Sequence, residues 1–455
     1  MSVHPDQMAK KLVLMCVLQS QPMADIRPFR AWRFDPGKVP VERVVTQPYD
    51  KITPAMRESY LASHPNNLVR ILRPLDGTEP GEGESPYSVA ARTWRRWQQE
   101  GIVVQVTREA IFGYYQRFRI PGAGELRTRK GFITLTHLED YGRGVIFPHE
   151  RTLSGPRQDR LELLRHTRTH FGQVFMLFSD PTMGVESILD DTISEEAPLT
   201  IVDEHAVEHQ LWTITRKETI RDIQEQMSQR KLIIADGHHR YETALAFRDE
   251  ERQRLGGGDA GPFEWLMTTH VNMDSPDMIV LPTHRVLSGL PGFDPAELLS
   301  RIETYYEVHD VPDPRLFAEV LAERGRSGHA LGVVFGREGM KLLVLREAVD
   351  PAHLLSDLSP SEAALDVVLL HRLILERCLG LTEEAIRGEM HLGYQRDPAL
   401  AIAEVREGRA QAAFILNPTP LGDVRDIAFQ GGVLPQKSTD FYPKLLSGLI
   451  MYSVR

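Results

Sequence analysis

KLIIADGHHRYETALAF, residues 231–247, decides how this chain is read. KLIIA is short, apolar and rich in β-branched residues, so it reads as a buried strand. YETALAF carries helix formers at apolar spacing and reads as a helix. Between them lie only the five residues Asp236-Gly237-His238-His239-Arg240. The first N–H groups of a helix have no intrahelical partner, and in a strand–turn–helix they point at whatever sits above the strand end. That geometry favours an anion, commonly a phosphate. Gly237 lets the backbone come close or take a positive φ. His238, His239 and Arg240 add donors, the arginine in two-pronged fashion. Asp236 can hold magnesium or a sugar hydroxyl. The plainer alternative is a capped helix with an Asp-Gly turn and exposed histidines.

Upstream, IFPHERTLSGPRQDRLELL (146–164) places His149 and Glu150 just after a strand, and Arg157 and Arg160 at a helix start. A carboxylate in an anion site can have its pKa tuned and can accept a proton from an attacking hydroxyl. Its bland counterpart is a carboxylate capping a helix N-terminus. The His-Glu-x-x-His zinc pattern fails because Leu153 stands at its last position, although His149, Glu150, His238 and His239 together remain an option as metal ligands. Polar text also interrupts apolar surroundings in VVTQPYDKI (44–52), NLVRILRP (67–74), LPTHRVL (281–287) and LPQKSTDFYPKLLSGL (434–449). The residues concerned are Tyr49, Asp50, Asn67 and Arg70; Thr283, His284 and Arg285; and Gln436, Lys437, Ser438, Thr439 and Lys444. Turn and capping roles would use the same residue types.

The rest of the chain alternates strand and helix patterns, which argues an α/β or α+β class. Its 455 residues allow two to four domains. The spacing predicts a helix over 53–63, a strand over 67–74 with Arg70 and Arg73 on one face, and an exposed loop over 76–86. A helix follows over 89–101 and a strand over 110–120. Single strands are expected at 264–273 and 278–287, a hairpin from 330–336 and 341–347, and helices over 365–381 and 398–408. Residues 444–454 read as an amphipathic close. Hydrophobic residues make up 42% and charged ones 25%, ordinary for a chain that can bury a core. The net charge of −10 argues against a general nucleic-acid binder. Two distant cysteines, Cys16 and Cys378, argue against a disulfide framework or a zinc–cysteine site and fit a reducing cytosol. No apolar run reaches the roughly 18–20 residues that cross a bilayer. LVLMCVL (12–18) lacks a cleavage site after it, so residues 1–25 are expected to be a disordered tail or an over-extended start.

Taken together, RPFRAWRF, PYDKI, PHERTLSGP with DRLELL, ADGHHRYETAL, PTHRV and LPQKSTDFYPKLLSGL resemble the family catalogued as domain of unknown function number 1015, from about Ile26 to Leu449. A lysine is more usual in that family near Pro156, so the basic role there falls to Arg157. The family is similar at its centre to the ParB/sulfiredoxin superfamily. The resemblance therefore implies an N-terminal α/β domain (26–125), a central ParB/sulfiredoxin-like domain (126–275) and a C-terminal α+β domain (276–455). Sulfiredoxin needs a cysteine where His238 stands, and the DNA-binding ParB proteins carry a basic helix-turn-helix module that is missing here. Free-serine kinases, the remaining branch, resemble the chain in two places: their catalytic glutamate matches Glu150 in Pro148-His149-Glu150, and their phosphate turn matches Asp236–Arg240.

What this implies is a cytoplasmic nucleotide-dependent kinase of a small hydroxyl metabolite, free L-serine first, using ATP or ADP with Mg²⁺. Glu150, Asp236 and His239 would be catalytic. Gly237, His238, His239, Arg240, Arg157 and Arg160 would hold the phosphates. His149, Thr152, Arg70, Lys437, Ser438 and Thr439 would bind substrate or close over it, and Asp236 would carry the metal. The partners would be a nucleotide and a small molecule, with no nucleic acid and no membrane; a homodimer is a further option. The alternatives are a nucleotide-dependent switch and a metal-dependent hydrolase.

Overall fold

The computed structural model describes residues 23–74, 85–150, 155–193, 197–257, 261–311, 313, 316–336 and 339–455. The first 22 residues, most of the expected loop at 76–86, Thr152 and the side chain of Arg157 lie outside the described residues. No helix among the described residues is long and apolar enough to cross a membrane.

The chain is a mixed α/β protein that divides into two compact units. The first comprises the residues up to 147 together with 153–277 and 443–455; the second comprises 148–152 and 278–442. The boundary expected after residue 125 falls within the first unit. There the strands Ile111–Arg119 and Leu126–His137 pair antiparallel from Phe112↔Ile133 to Arg119↔Leu126, and splitting them would break that ladder. Ala24, expected in the tail, is buried and donates its N–H to the Arg230 carbonyl at 3.1 Å.

The first unit is built on a nine-stranded sheet. Its order runs Ile146–Pro148, Leu232–Asp236, Val174–Phe178, Trp265–Asn272, Leu126–His137, Ile111–Arg119, Glu208–Ile214, Leu199–Val202, with Ile26–Arg27 also pairing Leu126–His137. Trp265–Asn272 lies parallel to Val174–Phe178, and Leu232–Asp236 lies antiparallel to it. All five residues of Val174–Phe178 are buried, which is why VFMLF reads as a continuous apolar run rather than an alternating one. Its alternate residues Val174, Met176 and Phe178 share a core with Leu232 and Ile234 and with Ile220, Ile223 and Met227 of the helix Lys217–Met227. Period-two strands thus meet a period-3.6 helix face.

NLVRILRP is not a strand. Val69–Leu72 forms a short helix with Val69, Ile71 and Leu72 buried. The buried Asn67 decides this: its side-chain oxygen accepts from the Val69 N–H at 2.9 Å. The N–H groups of Ile71, Leu72 and Arg73 then bond back three or four residues. Such an Asx turn offers the backbone partners that a strand ladder would otherwise supply. The expected amphipathic close is also different. Leu445, Leu446, Leu449, Ile450 and Met451 are all buried, and Tyr452–Ser453 pairs with Thr169–His170.

The second unit carries a six-stranded antiparallel sheet in the order Tyr306–Asp310, Gly339–Leu345, Ala330–Phe335, Ala412–Ile415, His284–Leu287, Leu392–Gln395. The hairpin expected at 330–347 is present. The single strand expected over 278–287 is two. Ile279–Leu281 pairs with Asp440–Tyr442, and His284–Leu287 enters the larger sheet. Pro282 between them has no N–H to give a ladder. The helix expected over 365–381 opens as an α-turn at Asp366–Leu369 and widens to π geometry over Leu370–Cys378.

Candidate phosphate-binding site

The strand Leu232–Asp236 slips register against Val174–Phe178 between Ile234 and Asp236, a bulge at Ala235. Bulges bend a strand and re-aim the next side chain, here Asp236. Gly237 follows at φ 94°, left-handed backbone that an L side chain resists. The 17-residue helix His238–Arg254 then starts with no side-chain capping bond. Its opening N–H groups and the positive end of its dipole are suited to an anion.

Arg240 folds back across the turn. A Cβ built on Gly237 would stand 2.9 Å from the Nε, Cζ and Nη2 atoms of Arg240. Nη1 donates to the Gln173 carbonyl, while Nε is buried and makes no hydrogen bond. Nη2 lies 3.7 Å from Asp236 Oδ2, and Lys444 Nζ lies 3.8 Å from the same oxygen. Burial pushes the Asp236 carboxyl up, but the charges of Lys444, Arg240, Lys51 and His238 outweigh it and hold the group well below the usual carboxylate range. Asp236 is therefore an anion within a ring of cations. The Arg160 guanidinium lies 4.4 Å over the Tyr49 ring, and its Nη1 donates to the Leu72 carbonyl at 3.0 Å. Burial, then Asp50, raises the Tyr49 phenol; Arg240 and Arg160 oppose them, so Tyr49 sits in the same field.

A buried polar network stands behind this ring. Arg129 donates from Nε to Gln116 Oε1 at 3.1 Å and from Nη2 to the Pro443 carbonyl. Gln116 Nε2 donates to the Lys444 carbonyl at 2.8 Å and lies 3.4 Å from His209 Nδ1. His209 Nδ1 meets the Tyr114 hydroxyl at 2.7 Å, and its Nε2 lies 3.1 Å from Asp203 Oδ2. Gln47 Nε2 donates to the same Asp203 oxygen at 3.1 Å. Burial lowers the His209 pKa against the pull of Asp203. The neutral ring thus accepts from Tyr114 at Nδ1 and donates from Nε2. Burial also brings Arg129 down to about 10.

In the second unit, Glu150 Oε1 accepts from both the N–H and the hydroxyl of Thr439, each at 3.1 Å. The Thr439 hydroxyl also meets His149 Nε2 at 2.7 Å. Glu150 pairs through its backbone with Leu434 in a parallel bridge, and the Leu434 N–H bonds the His149 carbonyl at 2.8 Å. The negative charge of Glu150 acts on the buried Arg285 and on Tyr394. Arg285 donates from Nε to His371 Nε2 at 3.2 Å, and burial brings it down to about 10.

Residues 26–368 match the family described as protein of unknown function (DUF1015). The chain belongs to this family. No curated protein matches it. Among solved structures, a free serine kinase in complex with AMP is 15% identical over 70% of this chain and 92% of its own, with a TM-score of 0.34. A conserved hypothetical protein from Pyrococcus furiosus is 14% identical over 70% of this chain and 95% of its own, with a TM-score of 0.33. SbnI from Staphylococcus aureus, truncated at its C-terminus, is 8% identical over 70% and 87%, with a TM-score of 0.32.

In this DUF1015 chain, Asp236, Gly237, His238, His239 and Arg240 share one turn, and Arg160 lies in the same electrostatic field. The Nη2 of Arg70 donates to the Leu61 carbonyl at 3.2 Å and ties two helices together. Ser438 serves a turn, donating to the Pro435 carbonyl at 2.6 Å beside Lys437 at φ 58°. Glu150 takes both donors of Thr439. Among the described residues no group of three or more His, Cys, Asp or Glu side chains could hold a metal ion, so the set His149, Glu150, His238 and His239 finds no support. Reading the sequence missed Lys51, Arg129, Gln116, His209 and Asp203. Gln116 carried a usable signal, a polar residue following the apolar and aromatic run IFGYY, whereas Arg129, between Thr128 and Lys130, carried none.

Proposed function

We propose that this protein is a nucleotide-dependent kinase of a small hydroxyl metabolite, with ATP or ADP as donor and L-serine as the first acceptor to try. One observation carries the reading: an uncapped 17-residue helix start behind a left-handed glycine, with Arg240 and Lys444 converging on Asp236. Fixed donors of this kind suit phosphate oxygens, and phosphoryl transfer asks a protein chiefly for positioning and charge stabilisation. In the proposed reaction the acceptor oxygen bonds to the terminal phosphorus, the bridging P–O bond breaks and its electrons stay on the departing nucleotide. Glu150 takes the hydroxyl proton, and the two donors of Thr439 hold its carboxylate in place. His238, His239 and Arg240 hold the phosphates.

Asp236, ionised and half-buried, is the residue that would hold Mg²⁺. The ion would neutralise charge on those phosphates.

The test is nucleotide consumption with and without a panel of hydroxylated metabolites. Turnover stimulated by one of them, lost in Glu150→Gln while nucleotide still binds, is the expected outcome. Binding with no stimulation by any metabolite would leave a nucleotide-dependent switch instead. No nucleotide binding at all would end the proposal.

A further inference from the structure

We infer that Arg285 is a positioning residue for Glu150, acting through residues 434–440, the segment that holds the Glu150 carboxylate. This rests on the reading of Glu150 as the base and adds what keeps it aimed. Arg285, Glu150 and the segment all belong to the second unit.

The segment meets Glu150 near both of its ends. Leu434 pairs with Glu150 in a parallel bridge, and its N–H bonds the His149 carbonyl at 2.8 Å. Thr439 gives its N–H and its hydroxyl to Glu150 Oε1, each at 3.1 Å. Between these points the backbone turns through Lys437 at φ 58°. A non-glycine residue keeps that left-handed conformation only where its surroundings fix it. Here side chains bond the carbonyls on either side. Ser438 Oγ donates to the Pro435 carbonyl at 2.6 Å, Arg285 Nη2 to the Gln436 carbonyl at 3.2 Å, and Thr419 Oγ1 to the Ser438 carbonyl at 2.9 Å.

Arg285 ties the rest of the unit to that turn. It stands in the strand His284–Leu287, flanked by Ala412–Ile415 and Leu392–Gln395. Nη1 donates to the Thr283 carbonyl, and Nε donates to His371 Nε2 at 3.2 Å. His371 lies in the π segment Leu370–Cys378. Burial, and then the Arg285 charge, hold His371 well below its ordinary pKa, so the neutral ring has a lone pair to accept that bond. One rigid planar fork thus joins a strand, a helix and the turn. A guanidinium 1% exposed is costly to bury. Among the described residues, its hydrogen bonds go to neutral acceptors. Apolar side chains would hold strand to helix without that cost. A donor fork is needed where the carbonyl of an irregular turn must stay at a fixed place.

The deciding experiment compares wild type, Arg285→Met, Thr419→Val and Thr439→Val, with each of the first two substitutions also made in Thr439→Val. Turnover is measured with ATP or ADP, whichever wild type consumes, and L-serine or the metabolite that stimulates it best; calorimetry gives nucleotide affinity and stoichiometry. Arg285→Met and Thr419→Val should each lower kcat about tenfold, with the metabolite KM and the nucleotide affinity and stoichiometry unchanged. In Thr439→Val, where one of the two Thr439 donors to Glu150 is already gone, each should cost less than about threefold. Stoichiometry separates a misaimed base from unfolded protein, and Thr419→Val, which nearly keeps its shape, carries the test if Arg285→Met does not fold. Unchanged kcat in folded Arg285→Met, or in Thr419→Val where it stands in, overturns the inference and leaves the kinase reading standing. So does an equal loss with and without Thr439→Val, which marks a structural role, or a loss of nucleotide affinity. A wild type that no metabolite stimulates overturns the kinase reading, and the inference falls with it.

Discussion

The guanidinium of Arg240 occupies the space into which a side chain at Gly237 would project, three of its atoms standing 2.9 Å from an ideal Cβ there. Glycine is required twice over, for that space and for φ 94°. Gly237→Ala should cost about 1–3 kcal/mol, the strain of a left-handed non-glycine residue plus displacement of Arg240. Because the Arg240 guanidinium must shift to make room, nucleotide affinity should fall further than stability predicts. Denaturant unfolding and nucleotide titration of the one variant check both parts. Affinity equal to wild type in a destabilised but folded protein would show that Arg240 does not contact the phosphates.

Gln116 is the hinge of the buried network, receiving Arg129 on its oxygen and giving its nitrogen to the Lys444 carbonyl. Gln116→Leu keeps the volume and removes both functions, so a buried guanidinium and a buried carbonyl each lose a partner. The expected loss is about 2–3 kcal/mol of stability, in keeping with leaving buried polar groups unsatisfied. Nucleotide affinity should fall as well, though Gln116 touches no ligand, because the backbone under Lys444 loosens. A variant with reduced stability and unchanged affinity would make the network structural only.

How much of this could be read from the sequence varied with the range of the interaction. The turn at Asp236–Arg240 was legible because its logic is local: a β-branched run, a glycine and helix formers fix strand, turn and helix within a few residues. The pairing of Thr439 with Glu150 spans 289 residues, and no periodicity encodes it. Lys51 had the same difficulty, since its influence on Asp236 is set by tertiary packing. NLVRILRP misled for the opposite reason. Its apolar–basic alternation matched a strand, but the short-range side-chain bond from Asn67 prevailed over the pattern.

Thr439→Val removes the hydroxyl that joins His149 Nε2 to Glu150 Oε1 while nearly conserving shape. The backbone N–H of residue 439 would still reach the carboxylate. On the proposed mechanism Glu150 keeps one of two donors and loses orientation, so turnover should fall about 10- to 100-fold, within the range by which a positioned acid or base contributes. Nucleotide affinity should not move. Equal losses in turnover and nucleotide binding would assign Thr439 to binding rather than to positioning Glu150.

Asp236 gives a pH prediction whose sign follows from its surroundings. Burial raises its carboxyl, and Lys444, Arg240, Lys51 and His238 more than reverse this, so its folded value lies below the ordinary 3.8. A depressed carboxylate contributes stability that is fully present above its unfolded pKa and is lost as pH falls through the folded value. Wild type should therefore lose stability progressively as pH drops below about 3.8, and the acid limb of a stability–pH curve should be shallower in Asp236→Asn. At neutral pH the same variant leaves Lys444 and Arg240 without their shared anion and should be less stable by about 1–3 kcal/mol, less than for a fully buried pair. The excess positive charge should then favour a phosphate ligand. Pyrophosphate titrated without magnesium should bind Asp236→Asn at least as tightly as wild type and should restore much of its lost melting temperature by mass action. Weaker binding under those conditions would mean that Asp236 holds the ligand itself rather than holding the cations in place for it.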